Sequence, residues 1–317
     1  MIVDVCMRIG TLQLANPVLV AAGTFGYGVE FQQAVRLKAL GGIVTKTITR
    51  QPRAGHPPPR LVETPSGMLN AVGLQNVGLD AFLSEKLPAV ASLHVPVIVS
   101  VLGESLGEIQ ELCSRLGEQA AVAAIELNLS CPNFPERHAP GNRSRFDMIA
   151  QDPEATADVV TRAKQSTTKP IIAKLSPDVT DIRVIAQAAE RAGADAIAVG
   201  NTFTGMSLDP RTRRSRLGSL AGGLSGPAIR PLAVYRVWMV SQAVRCPVIG
   251  IGGIVRGEDA VEFFLAGASA VAVGTAHFAD PAAALAVLKG LRRYLARHRM
   301  ASMQELIGTL QTDVVSG

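Results

Sequence analysis

Residues 128–133, with the sequence NLSCPN, bring a thiol, a hydroxyl and two amides together at the end of an apolar run. The run predicts a buried strand on which Glu126, Asn128 and Ser130 share one face, because strand side chains alternate. Polar groups on a buried face are costly unless they are hydrogen-bonded. Cys131 follows in a loop, where a thiol can act as a base or nucleophile if nearby lysines lower its pKa. A buried structural thiol is the alternative interpretation.

Lysines and amides also end three other apolar runs. Lys46 follows one run, residues 174–176 (KLS) end another, and residues 201–202 (NT) end a third. Lys46 and Lys174 are the cations that can lower the pKa of Cys131. One polar strand end is often a satisfied polar layer, but several at the same edge of a sheet indicate a polar active site.

Glycine-rich segments predict a phosphate site. Residues 250–253 (GIGG) and 274–275 (GT) end the last two predicted strands, and residues 222–227 (GGLSGP) precede a helical stretch. Loops after the last two strands of α/β barrels frequently bind phosphate through backbone N–H groups. The bound group is either a substrate phosphate or the tail of a flavin mononucleotide. Residues 250–255 lack the final glycine of G-x-G-x-x-G, so a Rossmann dinucleotide site is not indicated.

Eight short apolar runs, with helical stretches between them, predict the elements that position these residues. The runs are rich in Val, Ile, Ala and Leu without clean alternation, which is typical of parallel strands covered on both faces. Repeated βα units predict an α/β fold, namely a (β/α)₈ TIM barrel that forms a single domain over residues 1–317. An open doubly wound sheet is the alternative. The predicted strands are residues 17–23, 42–48, 95–102, 123–130, 170–176, 196–202, 247–254 and 270–278.

One helix and two additional features are also predicted. Apolar side chains at a 3.6-residue spacing predict a helix over residues 180–192, with Asp178 and Thr180 as candidate caps. Gly193 is its predicted stop. Residues 3–9 and 11–14 predict a hairpin that closes the bottom of the barrel. Residues 51–76 are too long for an ordinary βα loop, so they are expected to be functional or disordered.

Composition excludes several classes of protein. The chain has 317 residues, with 31 Lys and Arg against 26 Asp and Glu, and these basic residues are not interleaved with aromatic ones. No nucleic-acid partner is therefore predicted. No apolar run reaches the ~20 residues that a membrane span needs, and the acidic amino terminus is unlike a signal peptide, so we expect a cytoplasmic protein with no membrane contact.

Metal and disulfide chemistry are not predicted either. The four cysteines form no C-x-x-C pair, which disfavours a zinc site, a disulfide scaffold or an iron–sulfur cluster held by this chain. The five histidines are too isolated to suggest a metal site. We expect Cys6, Cys113 and Cys246 to be small buried hydrophobic residues.

The NLSCPN segment resembles the active-site loop of class 1 dihydroorotate dehydrogenases. Residues 23–28 (GTFGYG), 70–76 (NAVGLQN), 222–227 and 273–276 (VGTA) are similar to the class 1B catalytic subunit. The resemblance implies an FMN enzyme of pyrimidine (UMP) biosynthesis that oxidises (S)-dihydroorotate to orotate. It further implies that Cys131 is the base that takes the C5 proton while a hydride passes from C6 to flavin N5.

The resemblance also implies the binding residues. The expected cofactor contacts are Ala22, Lys46, Thr47, Ser100, Asn128, Lys174, Gly200, Gly226, Gly252, Gly253, Gly274 and Thr275. The expected substrate contacts are Lys46, Asn70, Ala71, Val72, Gly73, Leu74, Asn128, Asn133, Asn201 and Thr202. Lys46 adds charge for the substrate carboxylate, and a cation beside the flavin stabilises its reduced, anionic ring.

Class 1B resemblance implies an electron-transfer partner subunit that holds FAD and a [2Fe–2S] cluster and passes electrons to NAD⁺. It also implies a homodimer core within a heterotetramer. The lack of a cluster motif in this chain agrees with a cluster that is held by the partner subunit. A class 1A enzyme, which reduces fumarate, also lacks a cluster and stays open as an alternative.

Three departures from the family pattern leave the substrate open. Residues 134–152 are longer and more basic than the usual family loop, Gly200 replaces a larger aliphatic residue, and Ser100 replaces an asparagine. A flavin oxidoreductase acting on dihydrouracil or another dihydropyrimidine is therefore one alternative. A non-catalytic FMN- or phosphate-binding scaffold is the other, although the presence of both Cys131 and Lys46 argues against it.

Overall fold

The computed structural model describes residues 4–130 and 149–311. Eight parallel strands close into a barrel, in which each strand is hydrogen-bonded to two neighbours. The closed barrel confirms the (β/α)₈ prediction and excludes the open doubly wound sheet. The barrel strands are β3 (Val18–Val20), β4 (Gly42–Val44), β7 (Val97–Val101), β8 (Val122–Asn128), β9 (Ile171–Leu175), β10 (Ala196–Val199), β15 (Val248–Ile251) and β16 (Ala270–Val273).

Helices cover the outside of the barrel and alternate with its strands. The α-helices are α1 (Gly78–Ala81), α2 (Leu87–Ala91), α3 (Leu106–Gly117), α4 (Pro153–Ser166), α5 (Ile182–Arg191), α6 (Arg230–Ser241), α7 (Gly257–Leu265) and α8 (Ala283–Arg297). A π-helical turn, Phe82–Lys86, joins α1 to α2, and short 3₁₀ helices include Pro227–Ile229 and Thr275–Phe278. Within the two described ranges, no helix is both long and apolar enough to cross a membrane.

Two apolar layers hold the barrel together. An inner layer of buried side chains from alternate strand positions, including Leu19, Ile98 and Ile172, fills the barrel, and a larger outer layer packs the strands against the helices. The hairpin of β1 (Met7–Ile9) and β2 (Leu12–Leu14) adds Ile9 and Leu14 to the inner layer. This confirms the predicted hairpin and its position at the bottom of the barrel.

The segment predicted as a long loop, residues 51–76, forms ordered structure. Its strands β5 (Leu61–Thr64) and β6 (Gly67–Asn70) pair with each other, and β6 also pairs with β14 (Gly222–Ser225), which in turn pairs with β11 (Phe203–Gly205). The result is a four-stranded antiparallel sheet outside the barrel. A small two-stranded ribbon, β12 (Leu208–Asp209) and β13 (Arg214–Ser215), carries the basic cluster of residues 211–216.

The ends of α5 show one wrong and one confirmed prediction. Asp181, and neither Asp178 nor Thr180, caps the helix by accepting a hydrogen bond from the Arg183 N–H at 3.0 Å. The Asp178 carboxylate instead accepts two hydrogen bonds from Thr204. Gly193 follows the helix with φ +96°, as its predicted role as a stop requires.

The inner layer predicts a clear stability difference. Ile98→Ala should lower the free energy of unfolding by about 2–5 kcal/mol, because the fully buried side chain leaves a cavity that the closed barrel cannot fill. Val184→Ala, on the outer face of α5 where the side chain is 46% exposed, is the matched control and should change it by less than about 0.5 kcal/mol. Urea denaturation followed by circular dichroism measures both, and equal effects would contradict the inner-layer assignment.

Candidate active site at the carboxyl end of the barrel

A cleft of about 540 Å³ lies at the carboxyl ends of the barrel strands. Its position is that of the active sites of α/β barrels. Strands β3, β9, β10, β15 and β16 and the end of β14 contribute its walls, so residues far apart in sequence meet there. The cleft brings together nine of the predicted site residues, namely Ala22, Lys174, Asn201, Thr202, Gly226, Gly252, Gly253, Gly274 and Thr275.

The glycines of the cleft pack backbone against backbone. Gly253 has φ +71°, and a Cβ added there would lie 2.9 Å from both the Gly226 carbonyl oxygen and the Arg230 nitrogen. Gly226 has φ +93°, and a Cβ there would lie 2.7 Å from the Cα of Gly67 in the β5–β6 hairpin. Side chains are therefore excluded from this wall, and a ligand meets peptide groups near the start of α6. Such an arrangement suits a phosphate.

A buried acid, which the sequence reasoning missed, fixes the loop between β15 and α7. Asp259 is 3% exposed, accepts hydrogen bonds from the N–H groups of Val255 and Arg256, each at 2.9 Å, and forms an ion pair with Arg230. Arg230 also pairs with Glu262 at 3.3 Å. These contacts hold the loop that carries Gly253 against α6. An acidic residue in the first turn of a helix was the only signal in the sequence.

The polar face of β8 forms a second cluster. Asn128 donates a hydrogen bond to the hydroxyl oxygen of Thr47 at 3.2 Å, and the Thr47 and Ser100 hydroxyl oxygens are 3.1 Å apart. Three of the five buried side-chain atoms that find no hydrogen-bond partner in the described part of the chain lie here: Glu126 Oε1 and Asn128 Oδ1 on β8, and Ser130 Oγ just after it. Buried polar atoms without a protein partner require one from outside the chain, such as an ordered water, an ion or a polar ligand.

Lys174 connects the polar face to the cleft. It pairs in register with Asn128 on the neighbouring strand, it lines the cleft, and its side chain is 7% exposed. Its Nζ atom lies 3.7 Å from Glu126 Oε1, so a buried carboxylate balances the ammonium charge. A buried cation beside unsatisfied acceptors suits a planar ring that carries both N–H donors and oxygen atoms.

Lys46, just after β4, is the second cation of the site. Its burial, together with the positive charge of Arg60, holds the pKa of the Lys46 ammonium below its usual range. Arg60, which the sequence reasoning missed, donates hydrogen bonds to the His56 carbonyl oxygen at 2.6 Å and to Gln75 Oε1 at 2.6 Å. Two neighbouring cations attract an anion strongly, because binding it relieves their mutual repulsion.

The candidate substrate contacts in residues 70–74 begin at Asn70, the last residue of β6, and continue along the turn that follows it. The Asn70 amide donates to the Gly223 carbonyl oxygen at 3.2 Å, and the Val72 carbonyl oxygen accepts from the His56 N–H at 3.1 Å. Gly73 and Leu74 both have positive φ, +71° and +56°. The turn is therefore tied to β14 and to the segment that holds Arg60. Ala71 through Leu74 are not among the residues that line the cleft, within the described ranges.

Comparison with known proteins identifies the family. Residues 5–295 match the family model described as dihydroorotate dehydrogenase. A protein of Geotalea daltonii is 49% identical over 308 residues, covering 97% of this chain and 98% of that protein. Proteins of Trichlorobacter lovleyi (50% over 305 residues, 96% and 98%) and Geobacter sulfurreducens (49% over 308 residues, 97% and 98%) are similar. The chain belongs to the dihydroorotate dehydrogenase family.

All three relatives are named dihydroorotate dehydrogenase B (NAD(+)), catalytic subunit. This confirms the family and the enzyme class that the NLSCPN segment predicts. Membership of the dihydroorotate dehydrogenase family also implies a flavin cofactor. The described residues fit one, because the unsatisfied Asn128 oxygen and the Lys174 ammonium suit its ring and the glycine wall suits a phosphate.

Gly200 departs from the dihydroorotate dehydrogenase pattern for a steric reason. Its φ is +127°, and an added Cβ would lie 2.1 Å from the Ile251 carbonyl oxygen. The ends of β10 and β15 therefore approach backbone to backbone at this point, and a larger aliphatic side chain has no room there. Ser100, the other single-residue departure, is fully buried and keeps its place in the hydroxyl cluster.

The remaining predictions concern cysteines and the loop after β8. Cys131, Asn133 and most of residues 134–152 lie outside the described residues. Burial raises the pKa of Cys113 to about 12, and it contributes most to raising that of Cys246 to about 12, as expected of unreactive thiols. Cys6 is exposed and Cys246 is only partly buried, so the expectation of a buried residue is confirmed for Cys113, was wrong for Cys6 and holds only in part for Cys246.

The close packing of Gly226 and Gly253 predicts that one added methyl group weakens flavin binding. Gly253→Ala should reduce flavin affinity at least about tenfold, because the new Cβ meets Arg230 and the Gly226 carbonyl at a positive φ. Gly107→Ala, in the first turn of α3, is the matched control and should bind flavin normally, because the nearest atom to an added Cβ there is the Ser105 hydroxyl oxygen at 3.7 Å. Titration of the apoprotein with flavin, followed by fluorescence quenching, measures both. Equal affinities would show that the wall is not part of the cofactor site.

Proposed function

We propose that this chain oxidises (S)-dihydroorotate to orotate in pyrimidine biosynthesis, with FMN as its flavin and Cys131 as its base. The observation that carries the proposal is the junction of the glycine cleft with the polar face of β8. One end of the site suits a phosphate, and the other offers buried acceptors and a cation. The family match supplies the reaction.

Different residues around the cleft would bind different parts of FMN. We assign the phosphate to the backbone of a glycine-rich set and the ring and ribityl chain to a polar set, with Ala22 and Gly200 approaching through their backbones. When bound, FMN accepts the hydride that leaves C6 of the substrate. The phosphate set is Gly226, Gly252, Gly253, Gly274 and Thr275, and the polar set is Lys46, Thr47, Ser100, Asn128 and Lys174.

The substrate residues combine one cation with several amides. Lys46 attracts the substrate carboxylate, and a bound anion raises the lowered pKa of Lys46 back toward its ordinary value. The amide groups of Asn70, Asn128, Asn133 and Asn201, with Thr202 and the backbone of residues 71–74, suit the carbonyl and N–H groups of a pyrimidine ring. Cys131 takes the C5 proton, and the lysines of the site favour its thiolate form.

The electrons leave through a second protein in this proposal. The relatives are named catalytic subunits of an NAD(+) enzyme, which supports a partner subunit for this chain. We propose that the partner holds FAD and a [2Fe–2S] cluster and that two copies of this chain form the core of a heterotetramer. Within the described ranges, no group of three or more His, Cys, Asp or Glu residues is placed to hold a metal ion.

Anaerobic mixing with dihydroorotate tests the function directly. The purified chain should be yellow, and its flavin absorbance should bleach on mixing. Cys131→Ala should keep the flavin and slow bleaching by about 10²–10⁴-fold, the usual contribution of a positioned base. Cys131→Ser is the matched variant and should retain part of the rate, because a hydroxyl can occupy the same position. Faster bleaching with dihydrouracil than with dihydroorotate would contradict the proposed substrate.

The electron acceptor needs a separate measurement. Fumarate should not reoxidise the bleached chain, whereas NAD⁺ should do so only when the co-purified partner is present. Efficient turnover with fumarate by the chain alone would contradict the proposed partner without affecting the proposed substrate.

The charge of Lys46 predicts both a substrate-selective and a pH-dependent effect. Lys46→Met should raise the dihydroorotate concentration needed for half-maximal bleaching by about 10–100-fold, the magnitude of a lost charge-assisted hydrogen bond. Dihydrouracil, which lacks the carboxylate, is the control and should be much less affected. In the wild type, affinity for dihydroorotate should fall as pH rises through the lowered pKa of Lys46, since the neutral amine no longer pairs with the carboxylate. A pH-independent affinity would contradict this role.

A further inference from the structure

His277 is a buried histidine that neither the sequence motifs nor the proposed reaction uses. It lies in the 3₁₀ helix Thr275–Phe278, directly after the glycine-containing turn that ends β16, and is 3% exposed. Gly274, Thr275 and Ala276 line the cleft. The His277 side chain packs behind this turn.

The imidazole ring of His277 is hydrogen-bonded to the turn itself. Its Nδ1 atom lies 3.0 Å from the Gly274 carbonyl oxygen, which also accepts the backbone N–H of His277 at 3.0 Å. A carbonyl oxygen can only accept, so the proton is on Nδ1. Nε2 then carries a lone pair, and it is buried without a partner in the described part of the chain. Desolvation lowers the pKa of His277 to about 4, although Gly274 and Asp280 act in the opposite direction, so the ring is neutral at physiological pH.

This hydrogen bond determines which way the next amide points. In a planar trans peptide, the carbonyl of Gly274 and the N–H of Thr275 point in opposite directions. Two donors from His277 hold the carbonyl on the side of the histidine. The Thr275 N–H therefore points away from His277, and Thr275 is a cleft residue.

A second contact fixes the ring of His277. Phe25 is 1% exposed, meets the imidazole edge-on with the ring centroids 4.8 Å apart, and stacks on Phe31 at 4.0 Å. Phe25 belongs to the loop after β3, whose Ala22 and Thr24 also line the cleft. His277 thus lies between two loops that form the cleft wall.

We propose that His277 is a positioning residue for the cofactor phosphate, because it orients the Thr275 amide toward the site where the phosphate binds. The inference rests on the proposed FMN site. It assigns to His277 no contact with the cofactor itself.

Two amide substitutions separate the role of Nδ1 from that of Nε2. His277→Asn places an N–H donor near the position of Nδ1, whereas His277→Gln places one near the position of Nε2. We expect His277→Gln to weaken FMN binding to the apoprotein about tenfold and His277→Asn to weaken it no more than about threefold, since one hydrogen bond is at stake. Riboflavin, which lacks the phosphate, should bind both variants with the wild-type affinity. Dissociation constants from fluorescence quenching provide these comparisons without any measurement of turnover.

The affinity for riboflavin also shows whether each variant is correctly folded. A variant that loses FMN and riboflavin affinity to the same extent has a damaged barrel, and that result would overturn the phosphate-specific role. Equal FMN affinity in the wild type, His277→Gln and His277→Asn would overturn it as well, while leaving the FMN site intact. A wild-type chain that binds no flavin would overturn the proposed function and this inference together.

Discussion

The parallel pairing of β8 with β9 is the interaction on which the site depends. Its register places Asn128 beside Lys174, at the level where the apolar filling of the barrel ends. The neighbouring side chains that face the inside of the barrel are apolar on most strands. The buried Glu126 carboxylate and Lys174 ammonium therefore pair with each other. A one-residue slip would turn the polar face of β8 into the outer apolar layer. Barrel closure prevents that slip, and it holds the polar groups together before any ligand arrives.

The barrel was largely predictable, because buried parallel strands leave a local signal in sequence. Each of the eight apolar runs overlaps a barrel strand, but several were predicted too long, as in residues 270–278, where β16 ends at Val273. There the predicted run continues into a 3₁₀ helix, of which only His277 is buried and packs on Phe25, whereas Phe278 is 51% exposed. Composition alone does not show where the strand gives way to this helix. The caps of α5 were wrong for a related reason, since Asp178 has a tertiary partner that only the fold supplies.

The site was predictable as a set of strand ends and glycines, but the residues that support it were not. Arg60, Asp259 and His277 each contact a backbone group three or four positions away and a side chain that is distant in sequence. Neither kind of contact leaves a periodic pattern. The pairing of residues 67–70 with residues 222–225 was missed because the two strands are far apart in sequence, and the local hairpin of residues 61–70 was missed within a segment interpreted as a loop. The sequence suggested that Gly200, in place of a larger aliphatic residue, affects which substrate binds. In the structure a side chain at this position would collide with the backbone where β10 and β15 meet.

The pairing of β6 with β14 has a consequence for how the protein is made. The hydrogen bond from Asn70 to Gly223 joins residues 153 positions apart, and contacts of such long range form slowly. The residues that line the cleft span an even longer stretch of the sequence, from Ala21 to Ala276. During synthesis, the ribosome must therefore release most of the chain before the cleft exists. Cofactor binding is then a late step of biogenesis. Until then, the incompletely synthesised barrel must stay folded or be protected without the cofactor.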